Sequence, residues 1–181
     1  MVNARSQVVA GMILLAAAAR LIPHPWNITP IGATALFGGA NFRDRRLAFA
    51  LPLAALFLSD LVIGPHRLMP FVYAAFAMIV GLGFWLRERR SAGRMAAAVF
   101  GGSVLFYLVT NFGVWAVGGW YPKSIGGLVD CYLAGLPYLR NTLVGDTLYT
   151  AVLFGGFALA ERHIPALAEA GSSAPDRGLT S

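Results

Sequence analysis

Three carboxylate or amide side chains sit inside otherwise apolar stretches of the sequence, and any chemistry would begin with them. They are Asp60 in Leu58-Ser59-Asp60-Leu61, Asn111 in Val109-Thr110-Asn111-Phe112, and Asp146 in Val144-Gly145-Asp146. Arg20 adds a cation at the end of the first apolar stretch. Polar groups in such surroundings are costly and mark a ligand site, a pathway or an internal pair. Each also has a plainer reading. Asp60 suits a ligand contact or an ion pair with Arg20, because a buried charge needs a partner. Asn111 suits a ligand contact or a hydrogen bond between helices. Asp146 suits a ligand contact or an acid at a helix start, with Asn141 as the cap.

The usual templates for chemistry are missing from the sequence. There is no GxxxxGK[ST] loop, no HExxH and no GxSxG, so neither an ATPase nor a hydrolase of these types is expected. The one cysteine, Cys131, excludes an intrachain disulfide or a CxxC site. Within Asp130-Cys131-Tyr132 it reads as a small buried hydrophobe in preference to a ligand for a soft metal. His24 and His66 are isolated and make no metal site. The expectation is a protein that is not an enzyme and carries neither cofactor nor metal.

The elements that position these residues follow from composition. Of 181 residues, 57% are hydrophobic and 12% charged, about half the charge of an ordinary soluble domain. A spanning helix needs roughly 20 apolar residues, so about six spans use nearly the whole chain. The apolar runs are Val8 to Ile22, Ile28 to Phe42, Leu47 to Gly64, Phe71 to Leu86, Met95 to Gly118 and Leu143 to Ala160. The first run, preceded by Arg5, has some look of a secretory signal, but Arg20 and Pro23 follow it where small residues would be needed. The second is short, and it is expected to be tilted or partly unwound near Pro30. The segment Trp120 to Asn141 is too polar and glycine-rich for a span, and is expected to be interfacial or re-entrant. The expected fold is all-α, a polytopic helical bundle over residues 1–163, with a disordered cytoplasmic tail over 164–181.

Positive residues in the short connections set the orientation. One side holds ten: Arg5, Arg43, Arg45, Arg46, Arg87, Arg89, Arg90, Arg94, Arg162 and Arg177. The other holds three: Arg67, Lys123 and Arg140. Both termini are therefore expected in the cytoplasm. The net charge of +6 is explained by this asymmetry, and nucleic acid is not an expected partner. Trp26, Trp120 and Tyr121 then fall at the outer boundary, where aromatic rings favour the headgroup level. The buried polar groups all fall in the outer half, while the inner half is apolar, so the pattern is a cup open to the outside. Asn27, Asp60, Asn111, Trp115, Tyr132, Arg140 and Asn141 are the candidate substrate-binding residues. The small-residue spacing of Ala35 and Gly39 suits close helix approach, within the bundle or against a partner.

The stretches Pro23 to Ala33, Leu58 to Leu61, Thr110 to Trp115 and Cys131 to Thr142 resemble an uncharacterised family of bacterial six-helix membrane proteins, over almost the whole chain up to about Arg162. That family resembles, more distantly and at the level of fold, the substrate-binding S components of energy-coupling-factor vitamin transporters. The resemblance implies a protein of the bacterial inner membrane that captures a small molecule from outside and works with a transmembrane coupling subunit and separate ATPases. No vitamin-specific motif is matched, so no substrate carries over. Two rival readings stand beside capture: a structural or assembly subunit packing through its glycine-rich faces, and an intramembrane enzyme using Asp60 and Asp146.

Overall fold

The computed structural model describes residues 4–22 and 27–167. Trp26, His24 and the tail from residue 168 lie outside the described residues. Six helices make up the described chain, and it contains no strand. They are α1 (Ala4–Ala19), α2 (Ile31–Asn41), α3 (Arg45–Ile63), α4 (Met69–Glu88), α5 (Ala92–Val117) and α6 (Ile125–His163). Four of them, α3 to α6, are long and apolar enough to cross a membrane, as in a multi-pass integral membrane protein. With 16 and 11 residues, α1 and α2 fall short of that length.

The shortness of α2 fits its place in the bundle. At about 1.5 Å per residue it is only ~16 Å long, and every residue from Ala33 to Asn41 is buried. A helix apolar on all sides belongs in a core, and α2 packs against all five other helices, most extensively α4. Gly39 and Gly83 meet where α2 and α4 cross, so closely that a Cβ on Gly83 would lie 2.6 Å from the Leu36 carbonyl oxygen. The Ala35–Gly39 spacing therefore serves packing inside the bundle. Gly38 makes room for the ring of Pro52 on α3, and Phe37 packs edge-on against Phe154 and Phe157 of α6, with centroids 5.1 and 5.6 Å apart. Residues 27–30, before α2, are non-helical, and Asn27 takes a left-handed conformation with φ 62°, which asparagine tolerates better than most residues.

The largest departure from the sequence reading is α6. The interfacial or re-entrant segment expected over Trp120 to Asn141 does not form, because helix runs unbroken from Ile125 for 39 residues, ~58 Å by the same rise. Ser124 caps it by accepting from the Gly127 N–H. Its glycines are not loop signals. Gly127, Cys131, Gly135, Thr142, Gly145, Asp146 and Thr150 form one buried face, and small residues on that face let α5 and the 27–29 segment come close. A Cβ on Gly145 would meet Ile28 and Thr29 at 3.1 Å. Pro137 is carried within the helix, as proline can be inside a membrane bundle.

Past His163, Leu167 is buried and its carbonyl accepts from Arg5. Residues 164–167 thus fold back onto the bundle, where the sequence reading had the tail beginning. Arg5 also pairs with Glu161 and lies over the Phe157 ring. At this same end, Arg90 donates to the Ala40 carbonyl (2.6 Å) and Arg87 to that of Phe42 (2.8 Å). These guanidinium groups satisfy the last carbonyls of α2 and suit the negative end of its dipole. Burial and the nearby Arg5 both hold the Arg90 pKa below its usual value.

Candidate functional site

The opposite end of the bundle contains a cavity of about 720 Å³, within the range of small-molecule sites. Its mouth is formed by residues of the α3–α4 and α5–α6 connections, including His66, Leu68, Trp120 and Tyr121. The arginine-rich connections α2–α3 and α4–α5 lie at the other end. One wall is α5, with Phe106, Thr110, Asn111 and Val114, and another is α6, with Cys131, Ala134, Gly135, Tyr138 and Thr142. Ile31, Gly32 and Asp146 close the deep end.

Asp146 is not an acid at the start of its own helix, nor is Asn141 its cap, because α6 begins far upstream at Ile125. It stands at the start of a different helix. The cap position of α2 is Pro30, which has no side-chain hydrogen bond to offer, and the Asp146 carboxylate lies beside the Gly32–Ala33 backbone at that N-terminus. The Ser103 hydroxyl donates to Asp146 Oδ2 at 2.6 Å. A carboxylate at a helix N-terminus meets both unsatisfied N–H groups and the positive end of the dipole. Gly32 makes the approach feasible, since a Cβ there would lie 2.4 Å from Asp146 Oδ1.

Asp60 does pair with Arg20. Arg20 Nη1 donates to Asp60 Oδ1 (2.5 Å) and to Ser59 Oγ (2.6 Å), and Tyr73 Oη on α4 donates to Asp60 Oδ2 (3.0 Å). Only 1% of the Asp60 side chain is exposed, against 13% of Arg20. Arg20 reaches the cavity, while Asp60 stands behind it. The pair joins the end of α1 to α3 and α4, and Asn111 takes no part.

Of the seven residues expected to bind substrate, Asn27 and Asn111 line the cavity and Asp60 supports its wall. The other four do not line it. Trp115 turns its indole N–H to the Pro122 carbonyl (2.9 Å), and Tyr132 donates to the Leu108 carbonyl (2.9 Å). Arg140 is exposed and Asn141 half-buried, and neither is on the cavity wall. Trp115 is taken up by that bond to the Pro122 carbonyl, and for the three residues on α6 the physical reason is helical phase. At 100° per residue, Ala134, Gly135, Tyr138, Thr142 and Asp146 all fall within about 60° of Cys131, whereas Tyr132, Arg140 and Asn141 point about 80° to 180° away. Cys131 is buried and its thiol faces the Asn111 carbonyl at 3.4 Å, as expected of a small hydrophobe. Trp120 and Tyr121, read as interface anchors, also line the mouth.

Several wall groups have already committed their protons. Thr110 Oγ1 donates to the Phe106 carbonyl (2.7 Å) and Thr142 Oγ1 to that of Tyr138 (2.9 Å). One amide hydrogen of Asn111 goes to the Tyr107 carbonyl (2.9 Å). Thr142 Oγ1 also accepts from Asn27 Nδ2 (3.4 Å), and each hydroxyl still keeps a lone pair for another donor, so these groups offer acceptors.

A model of a family of unknown function matches residues 1–167. No curated protein and no solved structure matches the chain.

Proposed function

Since the chain belongs to that family, DUF6580, we propose from its own geometry that it is a membrane component that captures a small molecule from the outer side for uptake. One observation carries this reading: the cavity opens at the end of the bundle opposite the arginine clusters, and its deep end is polar. By the positive-inside rule that end is the outer one and both termini are cytoplasmic. The proposed setting is a bacterial inner membrane. With no nucleotide-binding loop in the sequence, energy for transport would come from a coupling subunit and separate ATPases, the arrangement of the S components it resembles. The role is binding and not catalysis. The rival reading, an assembly subunit docking through glycine-rich faces, loses much of its support because Gly39 and Gly83 are used up inside the bundle.

Two experiments test the proposal. Topology reporters fused after Arg94 and after Lys123, at the two ends of α5, are expected to give opposite signals, with Arg94 cytoplasmic. Equal signals would end the orientation. For binding, Ala134 lines the cavity and is exposed to it, so Ala134→Trp should fill the space without disturbing the core. Protein extracted from its own membrane in mild detergent is expected to carry a small molecule detectable by native mass spectrometry. Ala134→Trp should melt at the same temperature and lose most of that ligand, about tenfold or more by occlusion of a site of this size. A native protein that never carries a small molecule, or a variant that keeps it fully, would overturn the capture reading.

A further inference from the structure

The N-terminus of a short helix ending inside a bundle attracts anions, and half-helices of this kind commonly point at an anionic substrate group. In this chain that position is already taken. The Asp146 carboxyl group occupies the α2 N-terminus beside Gly32 and Ala33, held by Ser103 Oγ. An incoming anion would meet its oxygens where it would otherwise find bare N–H groups. The other charge on the deep wall, Arg20, is balanced by Asp60 at 2.5 Å. One turn from Asp146 on the same helix face, the Thr142 hydroxyl has donated to the Tyr138 carbonyl and accepts from Asn27 Nδ2 at 3.4 Å, which leaves it one lone pair.

We infer that the deep end of the cavity recognises a cationic N–H donor, an ammonium or amidinium group, with Asp146 as its counter-ion and the Thr142 oxygen as a further acceptor. The rest of the ligand lies against an apolar wall that includes Phe106, Val114 and Tyr138. This inference rests on the capture reading and adds the class of ligand. A carboxylate with the one Ser103 donor keeps unused acceptor capacity, and a cation beside it favours its charged form and lowers the cost of its burial.

Three indoles that differ in one group supply the test: tryptamine carries an ammonium, tryptophol a hydroxyl and indole-3-acetate a carboxylate. Binding of each to the purified full-length protein in detergent is measured by calorimetry, for wild type and for Asp146→Asn. Asparagine keeps one acceptor oxygen at the α2 N-terminus while removing the charge. Wild type is expected to bind tryptamine about tenfold or more tighter than tryptophol, the scale of a hydrogen bond to a charged group, and to bind indole-3-acetate weakest. In Asp146→Asn the tryptamine advantage should disappear while tryptophol binding stays. Equal binding of the three by wild type overturns the inference and leaves the capture reading intact. An advantage that survives Asp146→Asn overturns the role of Asp146. Binding of none of them at millimolar concentration overturns the inference, whereas capture itself is judged by the Ala134→Trp comparison. If Asp146→Asn does not fold, the wild-type ranking alone decides.

Discussion

Gly83→Val is expected to leave little or no folded protein. A Cβ at this position would sit 2.6 Å from the Leu36 carbonyl oxygen, 2.7 Å from Gly39 Cα and 2.9 Å from Ala40 N. All three atoms are backbone, so no rotamer change relieves the contact. Nor can α2 move aside, because Ala33 to Asn41 are buried against the other helices. Overpacking a core costs about 1–3 kcal/mol where side chains can adjust, and a clash of two rigid backbones belongs at or above the top of that range. Gly81→Ala is the control. Nothing lies within 4 Å of the Cβ it adds, and it gains about 1 kcal/mol of helix propensity. Thermal unfolding in detergent, followed by size-exclusion fluorescence, should show Gly81→Ala melting at or above wild type. A Gly83→Val protein that melts like wild type would mean that α2 and α4 do not cross at these glycines.

The second large effect is expected at the Arg20–Asp60 pair. Removing one partner of a buried ion pair leaves an uncompensated charge and costs about 3–5 kcal/mol. Asp60→Leu would strand Arg20, and Arg20→Leu would strand a carboxylate left with the Tyr73 hydroxyl at 3.0 Å. Each single variant should therefore lose several kcal/mol. The double variant Arg20→Leu/Asp60→Leu should recover a large part, because replacing a buried pair by apolar residues is often close to neutral. A double-mutant cycle on unfolding free energies gives the coupling directly. Additive losses with no recovery would mean that the two groups do not depend on each other.

These expectations show where the sequence was sufficient. Apolar runs between arginine clusters marked five of the helices, because a membrane bundle writes its spans as long uninterrupted hydrophobicity. The Arg20–Asp60 pair was legible because a carboxylate inside a span must find a cation, and few are on offer. The unity of α6 was hidden by chemistry that reads two ways: Gly126, Gly127, Gly135 and Pro137 are loop formers in water but packing residues within a bundle. The signal that would have found it is the small-residue face Gly127, Cys131, Gly135, at every fourth position. Missing that helix removed the phase from which orientations follow, and so Tyr132, Arg140 and Asn141 were placed in the cavity. The placing of Asp146 at the start of α2 could not be read at all, since it joins two helices far apart in sequence and no residue type announces it.

That distant contact bears on how the protein is made. Chains are synthesised from the N-terminus at about 5–20 residues per second, and α2 emerges before the side chains from other helices that stabilise its ends. Arg87 and Arg90 follow with the end of α4, and Asp146 arrives only once most of α6 has left the ribosome. Until then an 11-residue helix has exposed termini and too little length to cross a bilayer by itself. α1 and α2 are therefore expected to be held loosely until the last helix docks. Ribosome-stalled chains that end before α6 should consequently retain an α2 open to membrane-permeant reagents, and chains released after it should not.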